Sequence, residues 1–208
     1  MSARLRTAPT KSALLNLRKQ VRFLVDGHAL LERKRELLTR LVYQHIKEYQ
    51  GKKGTAHAAL RKAYRWLAIA QLRMGDRSIA QATLGATPST SMKVLPRRAL
   101  GVQYPSVEAA VVAPQPVGLL GTDPSFDEAR NSFAEAAVHL AELAAVEMAL
   151  HRLISEQRKA QKRVNALKYN IIPSYRKVIK QIAESLEEEE RGTLFQIKRL
   201  RDASLKKR

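Results

Sequence analysis

Apolar residues recur every three or four positions through both ends of this chain, and the rhythm is absent from its middle. Near the N-terminus the stripe runs Leu14, Leu17, Val21, Leu24, His28, Leu31, Arg35, Leu38, Val42, His45 and Tyr49, the alternating three-and-four step of a coiled-coil seam. Toward the C-terminus Leu150, Leu153, Gln157, Ala160, Val164, Leu167, Ile171, Tyr175, Val178 and Ile182 repeat it. Two such stripes can face each other as the arms of one hairpin. The predicted fold class is therefore all-α: a long antiparallel two-helix coiled coil made by the N- and C-terminal arms, with a short irregular or β-hairpin segment between them.

The first arm is read as residues 10–84, with Thr10 capping the amides that follow Pro9. Some 75 helical residues would extend on the order of 110 Å at ~1.5 Å each. Within it Gly51-Lys52-Lys53-Gly54 predicts a bend or local loosening, because each helical glycine costs about 1 kcal/mol relative to alanine. Leu60, Ala63, Leu67, Ala70 and Met74 then resume the stripe. Residues 85–124 hold six of the eight prolines and four of the nine glycines, which rules out a helix of useful length there. Inside that segment Ser91–Leu95 and Ala99–Tyr104 read as two short strands joined by a turn at Pro96-Arg97-Arg98. Helix restarts at Ser125-Phe126-Asp127-Glu128, which has the spacing of a capping box, and the second arm is taken as residues 125–203. After Val164 the seam takes two four-residue steps in succession, a stutter that locally unwinds a supercoil. Pro173 falls inside it, deprives the Tyr169 carbonyl of its helical partner and predicts a bend.

A stripe this narrow encloses less core than a globule of 208 residues, so much of the stability is expected from partners. Only 5% of residues are aromatic, as suits an elongated helical protein. With no cysteine, neither disulfides nor thiolate zinc sites are available. The first nine residues lack the apolar run of a secretory signal. The most apolar stretch, 134–150, carries His139, Glu135, Glu142 and Glu147 and is too polar to span a membrane, so the reading is a soluble protein that is not exported. The net charge of +19 is unevenly spread: residues 1–60 carry 13 basic and 4 acidic side chains, whereas 101–150 carry one basic and seven acidic. Two basic arms repel each other and need either a tight seam or an acidic surround.

Groups that would converge on an active site are missing. His28, His45, His57, His139 and His151 form no ligand-spaced cluster, and the two on the seam read as register residues. Gly51-Lys52-Lys53-Gly54-Thr55 lacks both the spacing and the preceding strand of a phosphate loop. Glu187–Glu190 point in four directions on a helix and read as a solvated face. No cofactor, metal or catalytic residue is expected.

Pro9-Thr10-Lys11-Ser12-Ala13-Leu14-Leu15-Asn16-Leu17-Arg18-Lys19, followed by Asp26-Gly27-His28-Ala29-Leu30-Leu31-Glu32-Arg33-Lys34-Arg35, closely resembles the start of the D subunit of the V-type (archaeal and vacuolar) rotary ATPases. Lys162-Arg163-Val164-Asn165-Ala166-Leu167-Lys168-Tyr169-Asn170-Ile171-Ile172-Pro173 is similar to that family's second signature, and a carboxylate-rich stretch and Phe195-x-x-Lys198 follow. Two stretches depart from the pattern, Gly51–Gly54 and the alanine- and proline-rich residues 107–116.

The resemblance implies a non-catalytic rotor axle in the central stalk, transmitting torque between a nucleotide-binding ring and a membrane ion-translocating rotor. Its implied partners are the catalytic and regulatory ring subunits, the small F subunit of the stalk and a socket subunit that couples to the rotor, with no nucleic acid and no direct membrane insertion. The implied location is cytoplasmic, peripheral at the inner face of the membrane. By the same resemblance Thr10, Leu14, Leu17, Phe195, Lys198 and Arg199 would sit in the ring's bearing. Gly27, His28, Lys34 and Arg35 would face its moving elements, with Arg163 and Asn165 on the opposing arm and Pro173 in the signature beside them. The strand pair would project from the stalk and contact the F subunit or modulate hydrolysis. The alternative is a basic coiled-coil protein binding nucleic acid through phosphates, disfavoured by the scarcity of aromatics to stack on bases and the lack of a standard binding module. A scaffold lying on an acidic membrane would need broader apolar faces than these.

Overall fold

The computed structural model describes residues 8–113, 115 and 121–205. In order they form α1 (Lys11–Met74), α2 (Asp76–Leu84), β1 (Thr90–Ala99), β2 (Val102–Val111), α3 (Pro124–Asn165), a π-helical segment (Ala166–Ile171) and α4 (Ile172–Leu205). The chain divides into a terminal unit, the described residues up to Arg35 and from Lys159 onward, and a central unit, Glu36–Arg158.

In the terminal unit the start of α1 runs antiparallel to the chain from Lys159 onward, tied by Arg35 Nη1 to Gln161 Oε1 (3.3 Å) and Lys11 Nζ to Glu190 Oε1 (2.6 Å). Leu17, Ala160, Val164, Ile172 and Ile182 are its buried seam residues. Leu14, Val21, Leu24, His28, Leu31 and Arg35 are half-buried beside them, which is the depth a two-helix seam provides. The expected seam fails at one position: Ile171 is exposed and its neighbour Ile172 is buried instead. The cause is the π segment, in which the Ile172 amide bonds to the Leu167 carbonyl, one residue further back than in an α-helix. That extra residue rotates the stripe by about one position. The segment ends just ahead of Pro173, which has no N–H to give, so the predicted disturbance takes the form of a π segment.

In the central unit the later part of α1 runs antiparallel to α3, joined by Lys52 to Glu142 (3.4 Å), Lys62 to Glu135 (3.2 Å) and Arg73 to Asp123 (3.2 Å). Here the seam is small. Ala56, Ala63 and Ala70 recur every seven residues and are at most 1% exposed, and Ala129, Ala134, Ala136, Ala145 and Ala149 line α3. Tyr64 and Phe133 meet edge to face at 5.5 Å. The loosening expected at Gly51–Gly54 is absent, since α1 runs through it as unbroken α-helix. Thr55 Oγ1 donates back to the Lys52 carbonyl (2.9 Å), Lys52 is held by Glu48 and Glu142, and Ala56 is buried on the next turn. Tertiary contacts outweigh the glycine penalty. The helix breaks instead at Gly75, whose φ of 76° would strain any side chain. Helical bonds reach across it on both sides, from the Gly75 amide to Gln71 and from the Ile79 amide to Gly75.

α3 starts two residues earlier than the Ser125–Glu128 capping box would place it. Asp123 is the cap: its carboxylate accepts from the Ser125 amide (3.0 Å) and hydroxyl, and Pro124 takes the first helical position, where no N–H is needed. These two Ser125 bonds, helped by Arg73, hold the Asp123 carboxyl below its ordinary range.

The strand pair is also longer than the sequence pattern marked, and its turn lies elsewhere. β1 and β2 pair antiparallel from Thr90↔Val111 to Ala99↔Val102, leaving Leu100-Gly101 as the turn. Both have positive φ (50° and 80°), the primed geometry that suits a two-residue hairpin. A two-residue loop makes Ala99 and Val102 a hydrogen-bonded pair, and pairs then alternate. Pro96↔Pro105 therefore falls on a non-hydrogen-bonded pair, where an N–H would point away from the ladder, so both prolines sit inside the strands without breaking a rung.

Candidate functional site

The residues that the resemblance singles out all lie in the terminal unit. Thr10 opens α1 as expected: its carbonyl accepts from the Leu14 amide (3.0 Å) and its Oγ1 from the Ala13 amide (3.2 Å). Leu14 is half-buried and Leu17 buried against the partner arm, so these two serve the seam. Lys11, one residue inside the helix, is tied to Glu190, and that hydrogen bond together with the carboxylate's charge raises the Lys11 pKa above its ordinary value.

A second cluster forms where the arms meet again. His28 Nδ1 lies 3.8 Å from Glu32, Glu32 lies 3.9 Å from Arg35 Nη2, Arg35 Nη1 donates to Gln161, and Gln161 Nε2 donates to Asn165 Oδ1 (2.8 Å). The structure thus links His28, Arg35 and Asn165 through Glu32 and Gln161. Neither linking residue stands out in the sequence, although Glu32 sits four residues after His28 and three before Arg35, where helical side chains meet. His28 Nε2 is enclosed without a hydrogen-bond partner. Lys34 and Arg163 stand apart from this network, both exposed. Gly27 is half-buried with nothing within 4 Å of where a side chain would start, so packing inside this chain does not demand glycine there.

Asn165 leads directly into the π segment, which exposes Lys168, Tyr169 and Asn170, with the Lys168 ammonium 5.5 Å from the Tyr169 ring. Pro173 is half-buried just beyond. Between the two ties the second arm uses more residues than the first, 29 (from 161 to 190) against 24 (from 11 to 35). The wider turn of the π segment takes up part of that excess.

Past Glu190, α4 continues to Leu205, and every residue from Arg191 to Asp202 is exposed. Leu194, Phe195, Ile197 and Leu200 are each more than 60% exposed, interleaved with Lys198 and Arg199. On α1, Leu15, Phe23 and Leu30 are likewise exposed at 58%, 77% and 71%. This exposed surface is apolar and basic. Among the described residues no group of three or more His, Asp or Glu could hold a metal ion, and no helix is long and apolar enough to cross a membrane.

The fold defines a class: a helical protein with paired helices in each unit and a small two-stranded hairpin in the central one. The family is specific. Residues 13–202 match the family of the ATP synthase D subunit, and the chain belongs to it. Among its relatives, the D subunit of the V-type ATP synthase of Thermotoga neapolitana is 34% identical, covering 94% of this chain and 97% of that protein. The D subunit of the A-type ATP synthase of Methanosphaera stadtmanae is 32% identical over 91% of each chain, and that of Pyrococcus furiosus 30% identical over 95% of this chain and 94% of its own.

Proposed function

We propose that this chain is the central-stalk rotor subunit of a V-type or A-type rotary ATPase, turning inside a ring of nucleotide-binding subunits and passing torque to an ion-translocating membrane rotor. The observation that carries this reading is the exposed apolar and basic end of α4, which continues past its last tie to α1 with Leu194, Phe195, Ile197 and Leu200 in solvent. An isolated protein gains nothing from such a surface; a helix seated in a collar of other subunits does. In this reading Thr10, Leu14, Leu17, Phe195, Lys198 and Arg199 belong to the bearing. Gly27, His28, Lys34, Arg35, Arg163 and Asn165 lie toward the ring's moving parts, with Pro173 and the π segment between the two groups. The partners are catalytic and regulatory ring subunits, the small F subunit of the stalk and a socket subunit, and the protein works at the cytoplasmic face of the membrane without a catalytic residue of its own. The family assignment weighs against a nucleic-acid role for the +19 charge, which then answers to acidic protein surfaces.

Co-purification of the tagged chain from its native membranes tests the class. Recovery of nucleotide-binding ring subunits and a small companion is expected, and recovery of ribosomal particles instead would overturn it. In the purified complex, Lys34→Glu with Arg163→Glu, both exposed, is expected to lower rotation-coupled ATP hydrolysis while the chain alone unfolds as before. Unchanged coupling would remove both residues from the ring-facing set. Arg35→Glu belongs to a separate experiment, because Arg35 also bonds Gln161 across the arms.

A further inference from the structure

We propose that β1 is an acceptor edge for an extended strand of a partner protein, one whose side chains alternate between carboxylates and apolar groups. The inference rests on the reading that the chain works inside a multisubunit complex. Its basis is an asymmetry between the two edges of the hairpin. The alternation of paired residues sets which backbone groups face outward: Gln103, Pro105, Val107, Ala109 and Val111 on β2, and Thr90, Met92, Val94, Pro96 and Arg98 on β1. The β2 edge is covered near the turn. Arg152 Nη1 of α3 donates to the outward Gln103 carbonyl at 2.8 Å, Val102 is 5% exposed, and Tyr104 meets the His45 ring edge to face at 5.8 Å.

The β1 edge is open. Every residue from Ser91 to Arg98 is exposed, and among the described residues β1 is bonded to no element but β2. A ten-residue strand with unpaired amides is a template for another strand. Pro96 closes that template near the turn, because it has no amide to offer, and leaves Thr90, Met92 and Val94 as the outward donors. A strand laid along 90–95 could accept from all three.

The side chains specify the occupant. Strand pairing puts lateral neighbours on the same face, so the two faces of β1 state what each face of the incoming strand must carry. One face shows Lys93 and Arg97 on either side of Leu95, all three exposed, with Glu108 opposite Lys93 on β2; the two cations favour carboxylates and repel lysine-bearing strands, a second copy of β1 included. The other shows Met92 at 47% and Val94 at 67% exposure, beside Val107 and Ala109 on β2, and favours apolar side chains.

Two measurements test this. First, a synthetic peptide of alternating glutamate and valine is expected to bind the isolated full-length chain, weakening as salt is raised, whereas an alternating lysine and valine peptide is not. Equal binding of the two, or of neither, overturns the proposal. Second, amide hydrogen exchange compares the free chain with the chain in its purified complex. The Met92 and Val94 amides are expected to slow at least about tenfold on assembly. Unchanged exchange in a complex that has formed overturns it too, while formation of the complex is scored separately by co-purification and decides the functional reading. Val94→Pro removes one outward donor at the same kind of position that Pro96 already occupies, so it spares the β1–β2 ladder and is expected to abolish the peptide's binding. Lys93→Glu with Arg97→Glu leaves every amide in place and is expected to reverse the preference between the peptides.

Discussion

The terminal and central units draw on the same kind of helix, yet among the described residues the central unit buries thirteen apolar residues and the terminal unit only five. Small side chains explain part of the difference. Alanines at seven-residue spacing allow two helices to approach closely, and the hairpin and the start of α3 add Val102 and Phe126 to the enclosed set. The terminal unit is lined by larger aliphatic residues that sink only half-way, and it leaves Leu15, Phe23, Leu30 and the apolar side chains past Glu190 in solvent. A region that completes its own core holds its shape alone. A region that does not leaves apolar surface for neighbours to cover, as the proposed seat in a collar of other subunits would require.

The largest expected effect separates the two directly. Leu153 of the central unit is 0% exposed, and Leu153→Ala is expected to cost about 2–5 kcal/mol in denaturant unfolding of the isolated chain. Phe23→Ala in the terminal unit removes a larger side chain, yet at 77% exposure it is expected to change stability by no more than about 0.5 kcal/mol. In the assembled complex the order should invert, with Phe23→Ala weakening retention of the ring. If Phe23→Ala destabilises the isolated chain as strongly as Leu153→Ala, the terminal unit is complete by itself and needs no collar.

How much of this could be read from the sequence follows the range of the forces involved. The seam was legible because burial on a helix repeats with the helix: Leu17, Leu38, Leu153, Ala160, Val164 and Ile182 are buried where the three-and-four step puts them. The hairpin was legible as a strand pair, and its turn was not, because Pro96 draws the eye and Leu100 does not look like a residue with positive φ. Holding Leu100 at 50° costs roughly 1–2 kcal/mol, which the ladder on either side must offset. At Gly51–Gly54 local propensity pointed to a loosening that contacts with α3 overrule. The π segment shows the opposite case, where stutter and proline signal a disturbance but not its form. The polar chain from His28 to Asn165 was half visible: the end residues came from the resemblance, and the links through Glu32 and Gln161 appear only once the arms are paired.

A smaller effect probes the edge of the central unit. Asp123 caps α3, and its carboxyl is held below the ordinary 3.8 by bonds from Ser125 and by Arg73. A depressed folded value means that the stabilisation is fully present above the unfolded value and is lost as pH falls through the folded one. Asn at this position keeps a capping oxygen and loses the charge. Asp123→Asn is therefore expected to lower the thermal midpoint modestly at pH 7 and to converge with the parent as pH falls through the lowered folded value of the Asp123 carboxyl. Parallel curves down to pH 2 would mean that the carboxylate's charge contributes nothing to the cap.

The smallest effect lies at the last tie of the terminal unit, between Lys11 and Glu190, whose side chains are 76% and 57% exposed. Exposed pairs are screened and contribute little, so Glu190→Gln should leave the unfolding midpoint almost unchanged. Its consequence should be local, because Lys11 stands on the first turn of α1 and Glu190 marks the point beyond which α4 is exposed all round. Amide exchange in the first turn of α1 is expected to quicken in Glu190→Gln at low salt, with the difference between parent and variant shrinking at about 1 M salt, where the screening length falls to about 3 Å. The hydrogen bond to Glu190 and that carboxylate's charge raise the Lys11 pKa, so while the carboxylate is charged the tie should hold up to that lysine's ordinary 10.5 and loosen as pH rises through the higher folded value. If first-turn exchange is indifferent both to the substitution and to salt, the end of α1 is held by the Leu14 and Leu17 seam alone, and the boundary between paired and unpaired α4 is set by packing and not by charge.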